Sequence, residues 1–387
     1  MPTLVTAARL WDGERLRERP AVLIDNGRIV SLAAVNRSAK VLDFPSATLS
    51  LAFFDVHIHG AAGHDVMEAT GEALRAIGTF LATKGTGAYL ATTVTAPLDA
   101  TLRAVSGLAK LIARPAIIAD GDKQVAKPVG IHLEGPFLSH EKCGVQPVEH
   151  MLAPDMATFD RICEAAEGTV RLMTIAPELP GAAELIRHAT SRGVRISLGH
   201  SNATAADTRR AIDAGAVSAT HTFNAMRALD HREPGILGTV LTENSLYAEL
   251  ICDGIHVAPE MVRLWHRVKG SRRGILVTDA ISAAGMPDGE YRLGEFAVQV
   301  ANGKAMARGK LAGSVLTLDR ALANFVAYTG APLADALPLL TTNPAAMIGG
   351  ESGTGALAAG QPASLVVVDD AGRLLASIID GALAARL

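Results

Sequence analysis

The sequence predicts an α/β protein: a (β/α)8 TIM-like barrel with a small β-sandwich domain built from both termini. Apolar runs of strand length alternate with helical patterns through the middle of the chain, and both ends are rich in short strands. Polar residues able to bind metal or move protons end many of the apolar runs, as at the rim of such a barrel. The 387 residues suffice for a barrel of about 250 residues and a minor module.

Eight apolar runs form the predicted barrel strands. They are LAFFDVHIH (51–59), AYLATTV (88–94), VGIHLEG (129–135), VRLMTIAPE (170–178), VRISLGH (194–200), AVSATH (216–221), YAELICDGIHV (247–257) and GILVTD (274–279). Helical patterns follow the first, second, fourth and fifth runs: GEALRAIGTFLATKG, DATLRAVSGLAKLIA, GAAELIRHATSRG and ATAADTRRAIDAG. A doubly wound open sheet is the alternative, but no GxGxxG motif follows the first strand.

The two ends of the chain are predicted to build the small β domain together, from residues 1–50 and 351–387, around a barrel at 51–350. The first part contains LVTAARLW, AVLIDNGRIVSLAAV and KVLDFP, with Asn26-Gly27 as a two-residue hairpin turn. The second part, from about residue 355, contains GALAAGQPASLVVVDD and LLASIIDGAL, with a turn at Ala371-Gly372. Two β-rich ends around an α/β middle favour one shared sheet domain.

Composition excludes several classes of partner. Lys+Arg number 36 against 39 Asp+Glu, so the chain lacks the basic field that binding to nucleic acid requires. The N-terminus has no apolar signal region, and no segment reaches the roughly 18 apolar residues of a membrane span. The three cysteines show no paired spacing, which favours a reducing compartment. We therefore expect a soluble, cytoplasmic protein that binds neither nucleic acid nor membrane.

Most predicted strands end in a residue suited to metal binding or proton transfer. These residues are His57 and His59 on the first strand, Glu134 on the third, His200 on the fifth, His221 on the sixth, His256 on the seventh and Asp279 on the eighth. Carboxyl ends of barrel strands meet at one rim, so these side chains should converge. Side chains two apart on a strand share a face, so both histidines of the first strand can reach one ion.

Four of these strand-end residues suggest hydrolytic chemistry. Glu134, His200 and His221 make a set of two histidines and one carboxylate, which leaves a coordination position open for water. Asp279 would accept the proton of that water and pass it to a leaving group, although an aspartate there also suits a helix cap.

The residues alone leave three further positions open. Arg232 in HREPGILG suits either a phosphate or solvent, and His256 suits either a substrate contact or a satisfied buried histidine. Cys143 is either a redox-sensitive thiol or a thiol of no consequence.

These motifs resemble the N-acetylglucosamine-6-phosphate deacetylase family of the amidohydrolase superfamily. The matching segments are DVHIHG, HLEGPFL, GHSNA, ATHTFNAM, HREPGILG, DGIHV and LVTDA, and the resemblance runs through essentially the whole chain. It implies metal-dependent hydrolysis of the acetamide of N-acetylglucosamine 6-phosphate to glucosamine 6-phosphate and acetate. The alternatives are deacetylation of a related N-acyl amino sugar, such as N-acetylgalactosamine 6-phosphate, and a barrel that binds without catalysis.

The resemblance also implies a role for each site residue. Glu134, His200 and His221 would bind the main ion and His57 and His59 a second, giving one or two divalent ions per subunit. Zinc is the first expectation, with iron or manganese as alternatives. Asp279 matches the general acid/base. Substrate contacts are implied for Asn224, Ala225, Arg232 and His256, with the arginine donated across a homodimer interface, and for the loop Leu311, Ala312 and Gly313.

One position departs from the family pattern. Family members often carry a histidine in the loop after the Glu-Gly-Pro strand, where it helps to hold the acetyl group. The matching residue here is Gln146 in KCGVQP, and the resemblance places Val145 and Gln146 among the substrate contacts. Glutamine donates a hydrogen bond but carries no charge, so we expect polarisation of the carbonyl to depend more heavily on the metal. The reaction type is therefore predicted more firmly than the N-acyl sugar.

Overall fold

The computed structural model describes residues 2–387 apart from 33–37, 120, 122 and 351–356. The strands are β1 (Thr3–Trp11), β2 (Leu16–Glu18), β3 (Ala21–Asp25), β4 (Arg28–Ser31), β5 (Lys40–Leu51), β6 (Phe53–Ile58), β7 (Gly60–Ala61), β8 (His64–Asp65), β9 (Thr86–Thr93), β10 (Lys127–Glu134), β11 (Val170–Ile175), β12 (Arg195–Leu198), β13 (Ser218–Ala219), β14 (Tyr247–Ile251), β15 (Gly274–Val277), β16 (Gly289–Leu293), β17 (Phe296–Ala301), β18 (Lys304–Ala307), β19 (Lys310–Leu311), β20 (Leu365–Val368), β21 (Leu374–Ile379) and β22 (Ala382–Arg386). The helices are α1 (Gly71–Thr83), α2 (Leu98–Ile112), α3 (Met156–Ala165), α4 (Ala182–Ser191), α5 (Ala205–Asp213), α6 (Gly235–Thr242), α7 (Pro259–Arg273), α8 (Leu318–Thr329), α9 (Leu333–Ala336) and α10 (Thr342–Met347). Short 3-10 helices lie at Val66–Glu68, Pro115–Ile118, His140–Lys142, Val148–His150 and Leu337–Leu340.

The predicted barrel is confirmed, and the open doubly wound sheet is not what forms. Parallel strands follow one another in the order β6, β9, β10, β11, β12, β13, β14 and β15. A bridge between Ile58 and Ala280 joins the two ends of this series. Beside it, the backbone N–H of Asp279 donates to the carbonyl of His57 at 2.8 Å. This closure brings the end of the first barrel strand next to the end of the eighth.

The four predicted crossover helices are confirmed as α1, α2, α4 and α5. Side-chain caps mark where two of them begin: Thr70 accepts a hydrogen bond from the N–H of Ala73, and Thr204 forms a reciprocal capping box with Asp207. The helices after the other barrel strands were not predicted. In α6 the chain is buried from Gly235 to Leu241, so this helix lacks the amphipathic period on which a sequence prediction depends.

Both ends of the chain contribute to one sheet, in the order β22, β21, β20, β5, β1, β3 and β4, with β2 paired to β1. The predicted hairpin turn is confirmed between β3 and β4. Asn26 and Gly27 have φ of 48° and 74°, and a two-residue hairpin loop in a type I′ turn requires positive φ at both of its central residues. The ends of two predicted runs, residues 33–35 and 355–356, lie outside the described residues, as does the proposed boundary at 351. The domain division at residues 50 and 350 stays a prediction.

A four-stranded antiparallel sheet interrupts the barrel between β15 and α8, and the sequence reasoning did not anticipate it. This insert sheet, residues 289–311, contains β16 to β19. Its apolar side chains form a separate cluster with Val94 and Ile281 of the barrel. Its strands are short and half exposed, so their hydrophobic signal is weak, although Asn302-Gly303 between β17 and β18 is a typical hairpin turn. The insert sheet places Leu293, Lys310 and Leu311 at the barrel mouth.

Two expectations from composition can be compared with the fold. Cys143, Cys163 and Cys252 are all unpaired. No helix in the described part of the chain is both long enough and apolar enough to cross a membrane.

Candidate active site

A cavity of about 330 Å³ opens where the carboxyl ends of the barrel strands meet. Its size lies in the range of small-molecule sites. The predicted strand-end residues that line it are His59, Glu134, His200, His221, His256 and Asp279. His57 lies beneath them and is fully buried.

Unusual backbone conformations aim several of these side chains into the cavity. His200, His221 and Asp279 have φ of 47°, 30° and 50°, in the left-handed region that residues with a Cβ rarely adopt. At the end of β10, Gly135 has φ of 96°, and a Cβ there would lie 2.2 Å from Oγ1 of Thr95. Such strain persists only where surrounding contacts maintain it, and it is concentrated at functional sites.

Glu134 is shared by two groups of metal-ligand type. In the first group, its Oε1 lies 3.2 Å from Nε2 of His200 and 3.1 Å from Nε2 of His221. In the second group, Oε1 lies 3.4 Å from Nε2 of His57 and Oε2 lies 3.3 Å from Nε2 of His59. The structure therefore brings together all five residues that the sequence suggested as metal ligands.

The hydrogen bonds around three of the four histidines fit a bound cation, whereas the buried Nδ1 of His221 has no hydrogen-bond partner among the described residues. Nδ1 of His57 lies 3.2 Å from Oε2 of Glu249, Nδ1 of His59 lies 3.0 Å from the carbonyl of Thr92, and Nδ1 of His200 lies 2.9 Å from the carbonyl of Lys142. An acceptor at Nδ1 keeps a proton there and leaves the Nε2 lone pair facing inward.

His57 provides the clearest single indication, because its buried Nε2 has no hydrogen-bond partner among the described residues. Imidazole lone pairs directed at the Glu134 carboxylate repel it unless a cation or protons lie between them. Two histidines and a shared carboxylate match the donor set of catalytic divalent ions, so the residues fit such an ion.

Electrostatics at the site show the same need for positive charge. Burial alone would raise the pKa of Glu134, but the neighbouring histidines, His57 first among them, hold it well below its usual range. Burial would likewise raise the pKa of Asp279, yet His57 and His59 lower it to about 2. Burial would lower the pKa of His59, but Asp279 and Glu134 raise it to about 9. In the described residues no lysine or arginine pairs with either carboxylate.

Asp279 faces the second ligand group. Its Oδ1 lies 3.2 Å from Nε2 of His59 and 3.6 Å from Nε2 of His57. The helix-cap alternative does not apply, because the next helix, α8, begins only at Leu318. The carboxylate is therefore available to act on a molecule in the cavity.

Gln146 lies at the cavity but contacts the candidate ligands. Its Nε2 donates to Oε2 of Glu134 at 2.5 Å, and its Oε1 accepts from the N–H of Thr95 at 2.9 Å. The amide thus fixes one oxygen of the carboxylate that both groups share. This glutamine therefore supports Glu134 through a neutral amide.

Most of the other predicted substrate residues reach the cavity. Val145, Asn224, Ala225, Leu311 and Gly313 line it. Ala312 instead packs into the apolar cluster of the insert sheet. His256 lines the cavity, and its Nδ1 lies 2.6 Å from Oδ2 of Asp253. Burial would lower the pKa of His256, but Asp253 raises it above its ordinary value.

Two predicted residues lie away from the cavity lining. Arg232 is in an exposed loop where its backbone N–H donates to Oδ1 of Asp230 at 2.8 Å. Its side chain is not among those that line the cavity of its own chain. Cys143 is partly buried, and its Sγ lies 3.6 Å from the carbonyl of Gly144.

Sequence reasoning missed Glu249 and Lys310. Glu249 lies inside β14, whose sequence is YAELI, and a single acid within an apolar strand was the available signal. Lys310 lies on β19 and donates to the carbonyl of Gly144 at 3.1 Å, which ties the insert sheet to the loop carrying Gln146. Neither residue ends a barrel strand, so the rule that identified the other site residues did not apply to them.

Comparison with known proteins identifies the family. The amidohydrolase family matches residues 48–384. The N-acetylgalactosamine-6-phosphate deacetylase of Escherichia coli O157:H7 is 37% identical, covering 95% of this chain and 96% of that protein. The N-acetylglucosamine-6-phosphate deacetylase of Vibrio furnissii is 35% identical, and the match covers 94% of this chain and 90% of that protein. A mutant N-acetyl-D-glucosamine-6-phosphate deacetylase from Mycobacterium smegmatis, solved with N-acetyl-D-glucosamine-6-phosphate, has 36% identity and a TM-score of 0.90 over 99% of each chain. The chain therefore belongs to the amidohydrolase family of metal-dependent hydrolases and, within it, to the family of the N-acetylglucosamine-6-phosphate deacetylases.

Proposed function

We propose that this protein hydrolyses the acetamide of N-acetylglucosamine 6-phosphate, giving glucosamine 6-phosphate and acetate. The observation that carries the proposal is the convergence of four histidines, Glu134 and Asp279 at the mouth of the barrel. The relatives that match nearly the whole chain are deacetylases of N-acetylated amino-sugar phosphates. With the ligand-type residues and a proton-transfer residue in one cavity, hydrolysis is favoured over a barrel that only binds.

The metal would be held by the two groups that share Glu134. His200 and His221 complete one group, and His57 and His59 complete the other. A divalent ion there supplies a Lewis acid for the acetamide carbonyl and lowers the pKa of water. We propose zinc, with iron or manganese as alternatives, because imidazole and carboxylate donors suit all three.

Asp279 would transfer the proton of the reaction. Its Oδ1 lies 3.2 Å from Nε2 of His59, at the edge of the second ligand group, so the carboxylate is placed to accept a proton from the attacking water. The water oxygen bonds to the carbonyl carbon of the acetamide. Asp279 then returns the proton to the amide nitrogen as the C–N bond breaks, and acetate and the free amine leave.

The sugar phosphate would be held by the outer part of the cavity. Contacts are proposed from residues that line it, namely Val145, Gln146, Asn224, Ala225, His256, Leu311 and Gly313. The Arg232 side chain does not line the cavity of its own chain, so we propose that it reaches the phosphate of the substrate bound in the neighbouring subunit of a homodimer.

The unpaired cysteines suit a reducing compartment, and we propose a cytoplasmic location.

A second candidate substrate is N-acetylgalactosamine 6-phosphate, because the Escherichia coli relative that acts on it is 37% identical. Acetate release from both phosphorylated sugars and from unphosphorylated N-acetylglucosamine would separate the possibilities. We expect the highest kcat/KM with N-acetylglucosamine 6-phosphate. A higher value with the galactosamine epimer would establish the second candidate, and no acetate from any of the three would contradict deacetylation.

Replacing Arg232 with alanine should mainly raise KM for the phosphorylated sugar, by about 10- to 100-fold, because a charge-assisted hydrogen bond contributes roughly 1.5–3 kcal/mol. The matched control is Arg187→Ala. Arg187 is also an exposed arginine, but it lies on α4, and its removal should leave KM unchanged. Steady-state kinetics with and without the 6-phosphate give the answer. An equal loss on the unphosphorylated sugar would rule out a role for Arg232 at the phosphate.

A further inference from the structure

Glu249 contacts residues of both ligand groups without belonging to either. Its side chain is fully buried in β14, and its Oε2 reaches His57 of one group and the backbone of His221 of the other. We propose that Glu249 is a positioning residue that sets the geometry of both groups for metal binding. This role rests on the metal site of the proposed function. It adds to that site one buried carboxylate that hydrogen-bonds a residue of each ligand group.

At His57, Glu249 determines which ring nitrogen is free. Oε2 lies 3.2 Å from Nδ1 of His57 and can accept a hydrogen bond from it. With a metal ion bound at Nε2, which lies 3.4 Å from Oε1 of Glu134, Nδ1 would carry the ring proton and donate it to Glu249. Without an acceptor at Nδ1, the ring would lose both its orientation and its preferred tautomer.

At His221, Glu249 supports a strained turn. His221 has φ of 30°, and its backbone N–H donates to Oε2 of Glu249 at 3.2 Å. The next N–H, of Thr222, donates to the backbone carbonyl of Glu249 at 2.8 Å. Glu249 thus accepts two hydrogen bonds that hold the turn, which points the His221 ring at Glu134.

The location of Glu249 argues against a direct chemical role. It does not line the cavity, and it lies in neither group of ligand atoms. Its Oε1 has no hydrogen-bond partner in the described part of the structure. A buried carboxylate with so few partners is costly, so its contacts with the two histidines are the stabilising interactions that the structure offers for it.

Two nearly isosteric variants separate the hydrogen bond from the bulk of the side chain. Glu249→Met keeps the volume and removes both acceptors, whereas Glu249→Gln keeps an acceptor for Nδ1 of His57. Thr174→Val is the matched control. Thr174 is also buried in a barrel strand, where it pairs with Glu134 in the strand register. Its Oγ1 bonds His132 and Thr220 at 2.8 Å each, and neither of these partners is a candidate ligand.

The decisive measurement is zinc affinity of the metal-free full chain, titrated against a chromophoric chelator without substrate. Glu249→Met should bind zinc about 10- to 100-fold more weakly than the wild type. Glu249→Gln should recover most of the affinity, and Thr174→Val should match the wild type. Wild-type affinity in Glu249→Met, or a Gln variant as weak as the Met variant, would overturn the proposal.

A second measurement uses only the variant that retains the acceptor. In the zinc-loaded protein labelled with ¹⁵N-histidine, Glu249→Gln should move the Nδ1–H proton resonance of His57, because an amide is a weaker acceptor than a carboxylate. An unmoved resonance contradicts the contact. Since neither readout needs turnover, a wild type that binds zinc but releases no acetate would count against the proposed function and not against Glu249.

Discussion

Replacing Asp279 with asparagine should lower kcat for deacetylation at least about 100-fold, while the metal content stays the same. Asparagine has nearly the same shape and keeps an oxygen beside His59, whose Nε2 now lies 3.2 Å from Oδ1 of Asp279. It cannot accept the proton of the attacking water or return it to the amide nitrogen. The loss should therefore appear in turnover more than in substrate binding.

Asp207→Asn is the matched control for this variant. It makes the same substitution in the capping box at the start of α5, away from the cavity, and should leave kcat unchanged. Steady-state kinetics and metal analysis of the same preparations provide both readouts. Near-normal turnover in Asp279→Asn would remove Asp279 from the proton-transfer role.

Replacing Glu134 with glutamine should reduce metal content in both groups and lower turnover at least about 1000-fold. The carboxylate supplies Oε1 to the group with His200 and His221 and also contacts His57 and His59. A neutral amide removes the negative charge and turns an NH2 group towards part of this cluster. Loss of a catalytic metal costs several kcal/mol of transition-state stabilisation, which corresponds to about three decades of rate.

Glu178→Gln is the control for Glu134→Gln. Glu178 accepts hydrogen bonds from Ser201 and Asn202, directly after His200, but belongs to neither ligand group. It should keep wild-type metal content. If Glu134→Gln also keeps full metal content, Glu134 is not the shared ligand and both groups need to be reassigned.

The part of the site that the sequence predicted depends on one geometric rule. Carboxyl ends of barrel strands meet at one rim, so strand-end residues such as His59, Glu134 and His200 could be grouped before any coordinates were known. The rule requires only that the strands be recognised, and their apolar runs were clear. It says nothing about residues inside strands, which is why Glu249 escaped notice.

The features that the sequence did not reveal depend on backbone conformation or on distant contacts. The left-handed φ of His221 and Asp279 is accompanied by hydrogen bonds that their N–H groups donate to Glu249 and His57 on other strands, and no local preference predicts it. Gln146 approaches Glu134 through a loop whose path no periodicity describes. The insert sheet has short, half-exposed strands, so its strand signal was too weak to separate from a loop.

We propose that a metal ion held through Glu134 makes this cavity a deacetylase of N-acetylglucosamine 6-phosphate. The most direct test is metal quantification of the purified protein combined with acetate release from that substrate, before and after metal removal and readdition. We predict bound divalent transition metal and acetate release, with activity lost on chelation and restored by added zinc, iron or manganese. Protein without transition metal that releases no acetate even after metal is added, or acetate release that survives complete metal removal, would contradict the claim.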